Sequence, residues 1–334
     1  MNQLKTPIID GHRHLICPQA FAKARELRTD QDKITTSLNQ ASKKVNAEKG
    51  RDWARKMTDF KDHTDDMTDA GIDIGVVWPP PTEFLHWTKP EDAAALTRLM
   101  NNHTAEKVNE YPDRLVGLAA LPMQDDGLAV EELNHAVNEL GLRGVALMSN
   151  LNGAGLDEER FHNIYRTIEK LDIPIFIHPD VPYENNRLRD YYLTNFVGFP
   201  MESTLAACQL VFGGVLDQFP TLKICLVHGG GALPFLLGRI SHGQEVRPES
   251  NEKCQHPFNY YLKNFYMDTV VFQPEILRFV QSIMPEGHVF LGTDYPFDMA
   301  EPDPVSFVKK AFPNDPVALE QILGGSLKKL LKLN

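Results

Sequence analysis

Eight short apolar segments alternate with amphipathic segments along the 334 residues of this chain, and few folds accommodate such a pattern. Several of the eight are apolar without interruption, as strands covered on both faces are. The amphipathic segments between them, for example 91–110, 128–140 and 158–171, have helical spacing. The eight predicted strands span residues 7–14, 71–78, 115–122, 143–149, 174–179, 223–229, 265–269 and 289–296.

Eight strands alternating with helices predict an α/β fold, the (β/α)8 barrel of the TIM type. The alternative is an open doubly wound sheet, but no glycine fingerprint follows the first predicted strand. Because barrels often exceed the usual length of one domain, we expect residues 1–334 to form a single barrel domain. Residues 15–50 are a polar insertion or lid after the first strand, and residues 181–200 are an aromatic-rich segment after the fifth. Both segments leave strand ends at which barrel active sites are built.

The composition restricts the partners and the compartment. Asp and Glu number 45 against 34 Lys and Arg, a formal charge of −11, so we expect neither nucleic acid nor an anionic membrane as a partner. No apolar run approaches the ~18 residues of a membrane span, and the N-terminus lacks the apolar core of a signal peptide. The four cysteines form no close pairs, so no disulfide framework is indicated. We therefore expect a cytoplasmic protein.

Side chains that can bind a metal stand at the carboxyl ends of four predicted strands. His12 and His14 end the first strand, and residues two apart in a strand point to the same face. His178 ends the fifth strand, His228 the sixth and Asp294 the eighth. Core packing does not explain such histidines, because buried imidazoles need partners. We expect the five side chains to meet at the mouth of the barrel.

Three neutral imidazoles and a carboxylate suit a borderline divalent ion such as Zn²⁺ and leave a position for water. The predicted ligands of one zinc ion per chain are His12, His14, His178 and Asp294. His228 is then placed to take a proton from the bound water, whose pKa zinc lowers to about 7, and we count His228 and Asp294 as catalytic. Other divalent transition metals also accept these ligands. Asp10 either orients a ligand histidine or caps the turn.

This arrangement of histidines and an aspartate on strands one, five, six and eight resembles the amidohydrolase superfamily. More closely, the chain is similar to the 2-amino-3-carboxymuconate 6-semialdehyde decarboxylase-like family between about residues 70 and 300. The stretches that carry the similarity are HWTKPEDAAAL, YPDRLVGLAALPMQ, HGGGALPFLLGRISHG, YLKNFYMDTVV and LGTDYPF.

The resemblance implies a zinc-dependent, non-oxidative decarboxylase of an unsaturated or aromatic carboxylic acid. Its first candidate substrate is 2-amino-3-carboxymuconate 6-semialdehyde, followed by a related aromatic acid such as a hydroxybenzoate. In that family a metal-bound hydroxide, assisted by the histidine that matches His228, adds to the substrate double bond before CO₂ leaves. The alternative is a metal-dependent hydrolase or hydratase of the same superfamily, acting on a lactone or a double bond.

The resemblance also implies two arginines that hold the substrate carboxylates, which the planar guanidinium pairs in a bidentate manner. Arg51 falls at the position of the first, with Arg55 as its competitor. Arg239 matches the second, which the family supplies from the neighbouring subunit, so a homodimer is expected. One departure concerns the substrate pocket, because Asp180 stands where the family has a tryptophan. We expect specificity to differ at that edge of the pocket.

Overall fold

The structure is a computed structural model that describes residues 6–28, 38–182 and 186–333. Within these ranges, eight parallel strands follow one another along the chain, each near its predicted position. They are β1 (Ile9–His14), β2 (Ile74–Trp78), β3 (Leu115–Gly117), β4 (Val145–Met148), β5 (Ile175–His178), β6 (Ile224–Leu226), β7 (Phe265–Asp268) and β8 (Val289–Phe290).

Strand pairing follows the order of the chain. Strands β1, β2 and β3 form one sheet, and strands β4 to β8 form a second. A parallel bridge from Ala119 to Val145 joins the two sheets on one side. On the other side Gly11 N donates to Leu291 O at 2.8 Å, and Arg13 pairs with Tyr295. The strands are therefore connected all the way round, and the predicted (β/α)8 barrel is confirmed.

Helices cover the outside of the strands, and several begin at a proline, whose fixed φ suits the first helical position. Among the described residues no helix is both long enough and apolar enough to cross a membrane. The main helices are α1 (Pro18–Leu27), α2 (Gln40–Thr58), α3 (Phe60–Asp69), α4 (Pro90–Glu110), α5 (Asp126–Asn134), α6 (His162–Leu171), α7 (Phe199–Phe212), α8 (Leu233–Val246), α9 (Pro274–Ile283), α10 (Pro304–Ala311), α11 (Pro316–Glu320) and α12 (Ser326–Leu330).

The strands are buried on both faces, which explains their uninterrupted apolar sequences. Phe176 packs against Phe290 at 5.8 Å between ring centroids, within one apolar cluster. Its neighbours Ile175 and Ile177 point the other way, into a second cluster that includes Ile164 of α6. Alternation along one strand therefore fills the barrel and also holds the helices to it.

The observed strands are shorter than predicted at the mouth of the barrel. The eighth, predicted over 289–296, ends at Phe290 because Leu291 N donates to Ile322 O at 2.8 Å instead of to a neighbouring strand. The predicted insertion at 15–50 contains α1 and the first half of α2, and its residues 29–37 lie outside the described residues. In the segment 181–200, a π-helical turn, Thr194–Gly198, leads into α7, and residues 183–185 lie outside the described residues.

Candidate metal centre and active site

The structure brings all five predicted side chains together at the carboxyl ends of the strands. Donor atoms of His12, His178, His228 and Asp294 all lie within 4.8 Å of one another. His14 adjoins this group, with its Nε2 3.3 Å from Asp294 Oδ1. The tightest group thus contains His228, where the sequence interpretation has His14 as a ligand.

The five side chains differ in their access to solvent. His12 and His14 are fully buried, and His178 and Asp294 nearly so. The His228 side chain is 16% exposed, and its Nε2 lies 3.4 Å from Asp294 Oδ2. His228 is therefore the most accessible imidazole of the group, next to the carboxylate that the group shares.

The sequence interpretation missed Asp268, which ends β7. Its Oδ2 accepts a hydrogen bond from His12 Nδ1 at 2.8 Å, which directs Nε2 of the same ring towards Asp294 at 3.4 Å. Asp268 Oδ1 accepts from Gly229 N at 2.7 Å, beside His228. A carboxylate that fixes the tautomer and orientation of a ligand histidine is a common support of metal sites. The sequence signal that could have identified Asp268 is a carboxylate at the end of a predicted strand, at the same edge of the barrel as the other donors.

The other oriented groups follow the same logic. His178 Nδ1 donates to Pro179 O at 2.8 Å, so Nε2 of that ring faces the centre. Asp10 does not orient a ligand imidazole, and it lies within β1 and not at a turn. It accepts from the backbone N–H of His12 and from the Thr293 hydroxyl, so it ties β1 to the segment after β8 instead of orienting an imidazole ring.

The protonation tendencies of the centre follow from burial and charge. Burial lowers the pKa of His14 to about 4, and burial together with the neighbouring imidazoles holds the pKa of His178 well below its usual value. Burial would raise the pKa of Asp294, but His12 and the other imidazoles outweigh it and lower that pKa well below its ordinary value. Burial also opposes protonation of His12, but carboxylates, Asp294 first among them, raise its pKa on balance.

Two residues of the centre have a left-handed backbone, with φ of 55° at His228 and 65° at Asp294. Such a conformation costs about 1–3 kcal/mol for a non-glycine residue and is concentrated at functional sites. The glycines after His228 accommodate this turn, since a side chain at Gly231, whose φ is 65°, would collide with Pro200 O.

A cavity of about 540 Å³ opens over the centre and reaches His178, His228 and Asp294. Its opposite wall comes from α1, α2 and the segment after β5. Asp180 lies in this wall, as its place beside His178 predicts, and its backbone N donates to Ser149 Oγ at 2.9 Å. Ligand sites of small molecules have this size and concavity.

The arginines of the sequence interpretation lie elsewhere. Arg51 is exposed on α2 and is not among the described residues that line the cavity. Arg55 is also exposed and pairs with Asp52 at 2.8 Å and with Asp62. Arg239 is exposed on α8, away from the cavity of its own chain.

The cations that line the described part of the cavity are Arg28 and Lys43, which the sequence interpretation missed. Arg28 leaves the end of α1 and donates from Nη2 to Thr82 O at 2.9 Å. No local sequence signal distinguishes it, because its position depends on how α1 docks against the loop after β2.

We expect Asp268→Asn to weaken metal binding about 10- to 100-fold, the range for losing a carboxylate that supports a ligand histidine. The amide no longer favours the tautomer that directs His12 Nε2 to the centre. Competition with a chromophoric chelator measures the affinity. Asp217→Asn is the control, because Asp217 accepts from Tyr261 and Gln255 but touches no histidine of the centre. Equal affinity in Asp268→Asn and wild type would contradict the assignment.

Glu83, next to the cavity wall at Thr82, gives a pH-dependent prediction. Burial raises its pKa to about 7, although Arg28 acts to lower it. The folded state therefore holds this proton more tightly than the unfolded state, so stability falls as pH rises from about 4.5 to 7, by up to about 3 kcal/mol. We expect Glu83→Gln to be more stable than wild type at pH 8 but not at pH 5, measured by urea unfolding. The exposed Glu131→Gln should parallel wild type, and parallel curves for Glu83→Gln would refute the prediction.

Comparisons with known proteins agree with this geometry. The model of a family described as Amidohydrolase matches residues 9–333. A 2-amino-3-carboxymuconate-6-semialdehyde decarboxylase from Dictyostelium discoideum is 39% identical over 265 residues, 79% of this chain and 74% of the relative. The chain therefore belongs to the amidohydrolase family, close to decarboxylases of this type, as the sequence resemblance predicts.

Solved structures share the fold. A 5-carboxyvanillate decarboxylase from Sphingomonas paucimobilis superposes with a TM-score of 0.87 at 23% identity, covering 99% of this chain and all of that one. A dihydroxybenzoic acid decarboxylase from Polaromonas, solved with bound manganese and 2-nitroresorcinol, has a TM-score of 0.79 at 23% identity and covers 98% of both chains. Together with the sequence relatives, which are decarboxylases, these findings confirm the predicted class of enzyme, a carbon–carbon lyase.

Proposed function

We propose that this chain is a zinc-dependent, non-oxidative decarboxylase of an unsaturated or aromatic carboxylic acid. The observation that carries the proposal is the convergence of four donor side chains within 4.8 Å of one another at the base of the cavity. The sequence relative favours 2-amino-3-carboxymuconate 6-semialdehyde as first substrate, and the structural neighbours favour an aromatic acid such as a hydroxybenzoate. The alternative is a hydrolase or hydratase that uses the same centre on a lactone or double bond.

We assign the metal ligands as His12, His14, His178 and Asp294, with one ion per chain. The donor set fits a divalent ion, since His12 Nε2 is buried, faces the shared carboxylate and makes no hydrogen bond within the described chain. When bound, such an ion supplies a Lewis acid at the floor of the cavity. Zinc is our choice for this mixture of imidazole and carboxylate, and metal analysis of protein from unsupplemented cells tests it.

His228 is proposed to hold and transfer the proton of the reaction. Non-oxidative decarboxylation breaks one carbon–carbon bond, releases CO₂ and leaves an electron pair on carbon, to which a proton must be added. No oxidant is consumed. His228 borders the cavity, and its Nε2 lies 3.4 Å from Asp294 Oδ2. A positioned imidazole of this kind contributes about 10²- to 10⁴-fold to rate.

The anionic group of the substrate needs local cations, because the chain carries a net charge of −11. Arg28 and Lys43 line the cavity and are proposed to supply this attraction. We also keep Arg51, on α2, as a candidate for binding a substrate carboxylate, as the resemblance implies. The KM values of Arg51→Ala, Arg28→Ala and Arg55→Ala are compared with that of wild type. The arginine whose loss raises KM most is the one that binds the substrate carboxylate.

We further propose a homodimer in which Arg239 enters the partner's site. Met201 and Leu205 on α7 and Phe235 on α8 are large exposed apolar side chains on two helices that pack together, and Phe235 is 83% exposed. Exposed apolar patches of this kind mark interfaces between proteins. Arg239 lies one turn of α8 beyond Phe235, at the edge of this patch.

Combining two impaired variants tests the shared site, with the substrate kept well below the wild-type KM so that a raised KM lowers the rate. Arg239→Ala should raise KM about 10- to 100-fold by removing a bidentate ion pair, worth ~1.5–3 kcal/mol. When it is co-expressed with His228→Ala, half of the dimers carry one complete site, so we expect about a quarter of wild-type activity. Sedimentation measures the oligomeric state. Activity no greater than that of the separate variants would point to a self-contained site.

We also propose a cytoplasmic location and a single-domain organisation for this chain. The four cysteines of the chain are free thiols, which supports a reducing compartment and so the cytoplasm. The family match over residues 9–333 supports one barrel domain across residues 1–334, in which 15–50 is an insertion or a lid after the first strand.

Trapping of CO₂ tests the reaction class directly. Zinc-loaded protein is given 2-amino-3-carboxymuconate 6-semialdehyde, and separately 2,6-dihydroxybenzoate, while substrate absorbance and evolved CO₂ are recorded. Stoichiometric CO₂ with either acid supports the decarboxylase and selects its substrate class. Ring opening or water addition at an unchanged carbon count, on a lactone or alkene panel, would replace it with the hydrolase or hydratase.

A further inference from the structure

Helix α2 presents one face to the cavity above the metal centre. Its lining residues recur at spacings of three and four, as one side of a helix does. They are Lys43, Asn46, Gly50, Trp53, Ala54 and Met57. Trp53 is the aromatic residue of this face. Gly50, one turn before it, and Ala54, directly after it, are small. The indole therefore borders open space instead of being enclosed by its own helix.

The position of Trp53 is fixed by contacts to the loop after β8. Its ring packs edge to face against Phe297 at 5.5 Å between centroids, and Phe297 in turn lies 5.4 Å from the His14 ring. Lys49, on the same helix, pairs with Asp298 at 2.8 Å. These contacts hold the indole over the centre before any ligand arrives.

Gly50 has no packing explanation. A Cβ added at Gly50 would meet no atom within 4 Å, so no close approach of another segment requires a glycine here. Glycine in a helix interior is unfavourable relative to alanine. Since Gly50 lines the cavity one turn before Trp53, its missing side chain leaves the space beside the indole open.

We propose that Gly50 and Trp53 form a slot, here the Gly50–Trp53 slot, that binds the planar conjugated part of the substrate. Trp53 then determines specificity for planar unsaturated acids over saturated acids of the same size. Indole and a conjugated system attract each other in offset-stacked or edge-to-face geometry beyond the area that they bury. The inference rests on the proposed function for the identity of the substrate, but the slot can be tested by binding alone.

Calorimetric binding of two non-reacting acids to the zinc-loaded enzyme tests Trp53. Benzoate is planar and cyclohexanecarboxylate is not, while both carry one carboxylate. We expect wild type to prefer benzoate about tenfold, Trp53→Phe to keep most of this preference, and Trp53→Leu to reduce it to about twofold or less. If Trp53 had only a structural role, Trp53→Leu would weaken the binding of both acids equally. No preference in wild type, or an unchanged preference in Trp53→Leu, overturns the proposal.

A second pair of variants tests Gly50. Gly50→Leu fills the space and should weaken benzoate binding at least tenfold, while its melting temperature equals or exceeds that of wild type because leucine favours the helix. Ala47→Leu, exposed on the same helix and outside the cavity lining, should bind as wild type does. Wild-type affinity in Gly50→Leu would refute the slot. Planar preference without CO₂ from any acid would instead retain the slot and reject the decarboxylase.

Discussion

His228→Ala is expected to lower kcat about 10²- to 10⁴-fold while one metal ion per chain is retained. The imidazole is the most accessible of the centre and borders the cavity, so its removal deletes the proton carrier and leaves the buried donors in place. Loss of a positioned acid or base costs a factor of this order. Metal content after exhaustive dialysis and steady-state kinetics are measured on the same preparation.

The control for this variant is His242→Ala, a histidine on α8 whose side chain is 75% exposed and which should leave both readouts unchanged. Loss of metal from His228→Ala would make His228 a ligand. That outcome would follow the tightest group of donors, which contains His228. His14 would then be the residue that supports the centre without binding the ion.

His178→Ala should lose both metal and activity. His178 is buried at the end of β5, and the hydrogen bond from its Nδ1 to Pro179 O leaves Nε2 facing the centre. Alanine removes this imidazole and has no group that can replace it as a donor at the centre. Bound zinc should fall below about a tenth of an equivalent, as loss of one ligand from a four-ligand site implies.

Thermal unfolding measures the same event independently. An ion that binds only the folded state stabilises it by RT ln(1 + [L]/Kd), about 4 kcal/mol at a thousandfold excess over Kd. Zinc should therefore raise the melting temperature of wild type and His242→Ala but not of His178→Ala or His14→Ala. Retained zinc stabilisation in His14→Ala, with loss in His228→Ala, would exchange the roles of these two histidines.

The barrel and its centre were predictable because both depend on local patterns. Apolar segments of four to eight residues alternating with helices indicate the barrel, and a polar residue at the end of a strand must lie at the mouth, where all carboxyl ends meet. His12 and His178 were found by this rule. Asp268 ends β7 and obeys the same rule, so the same argument applied to that strand would have found it.

The wall of the cavity opposite the metal centre was not predictable. Gly50 and Arg51 are neighbours in the sequence, but successive residues of an α-helix point about 100° apart around its axis. Gly50 therefore lines the cavity, whereas Arg51 faces solvent. Helical periodicity defines the relative directions of side chains but not which direction faces the barrel. Docking of α1 and α2 over the mouth depends on distant contacts such as Trp53 with Phe297, and it is this docking that places Arg28 and Trp53 in the cavity.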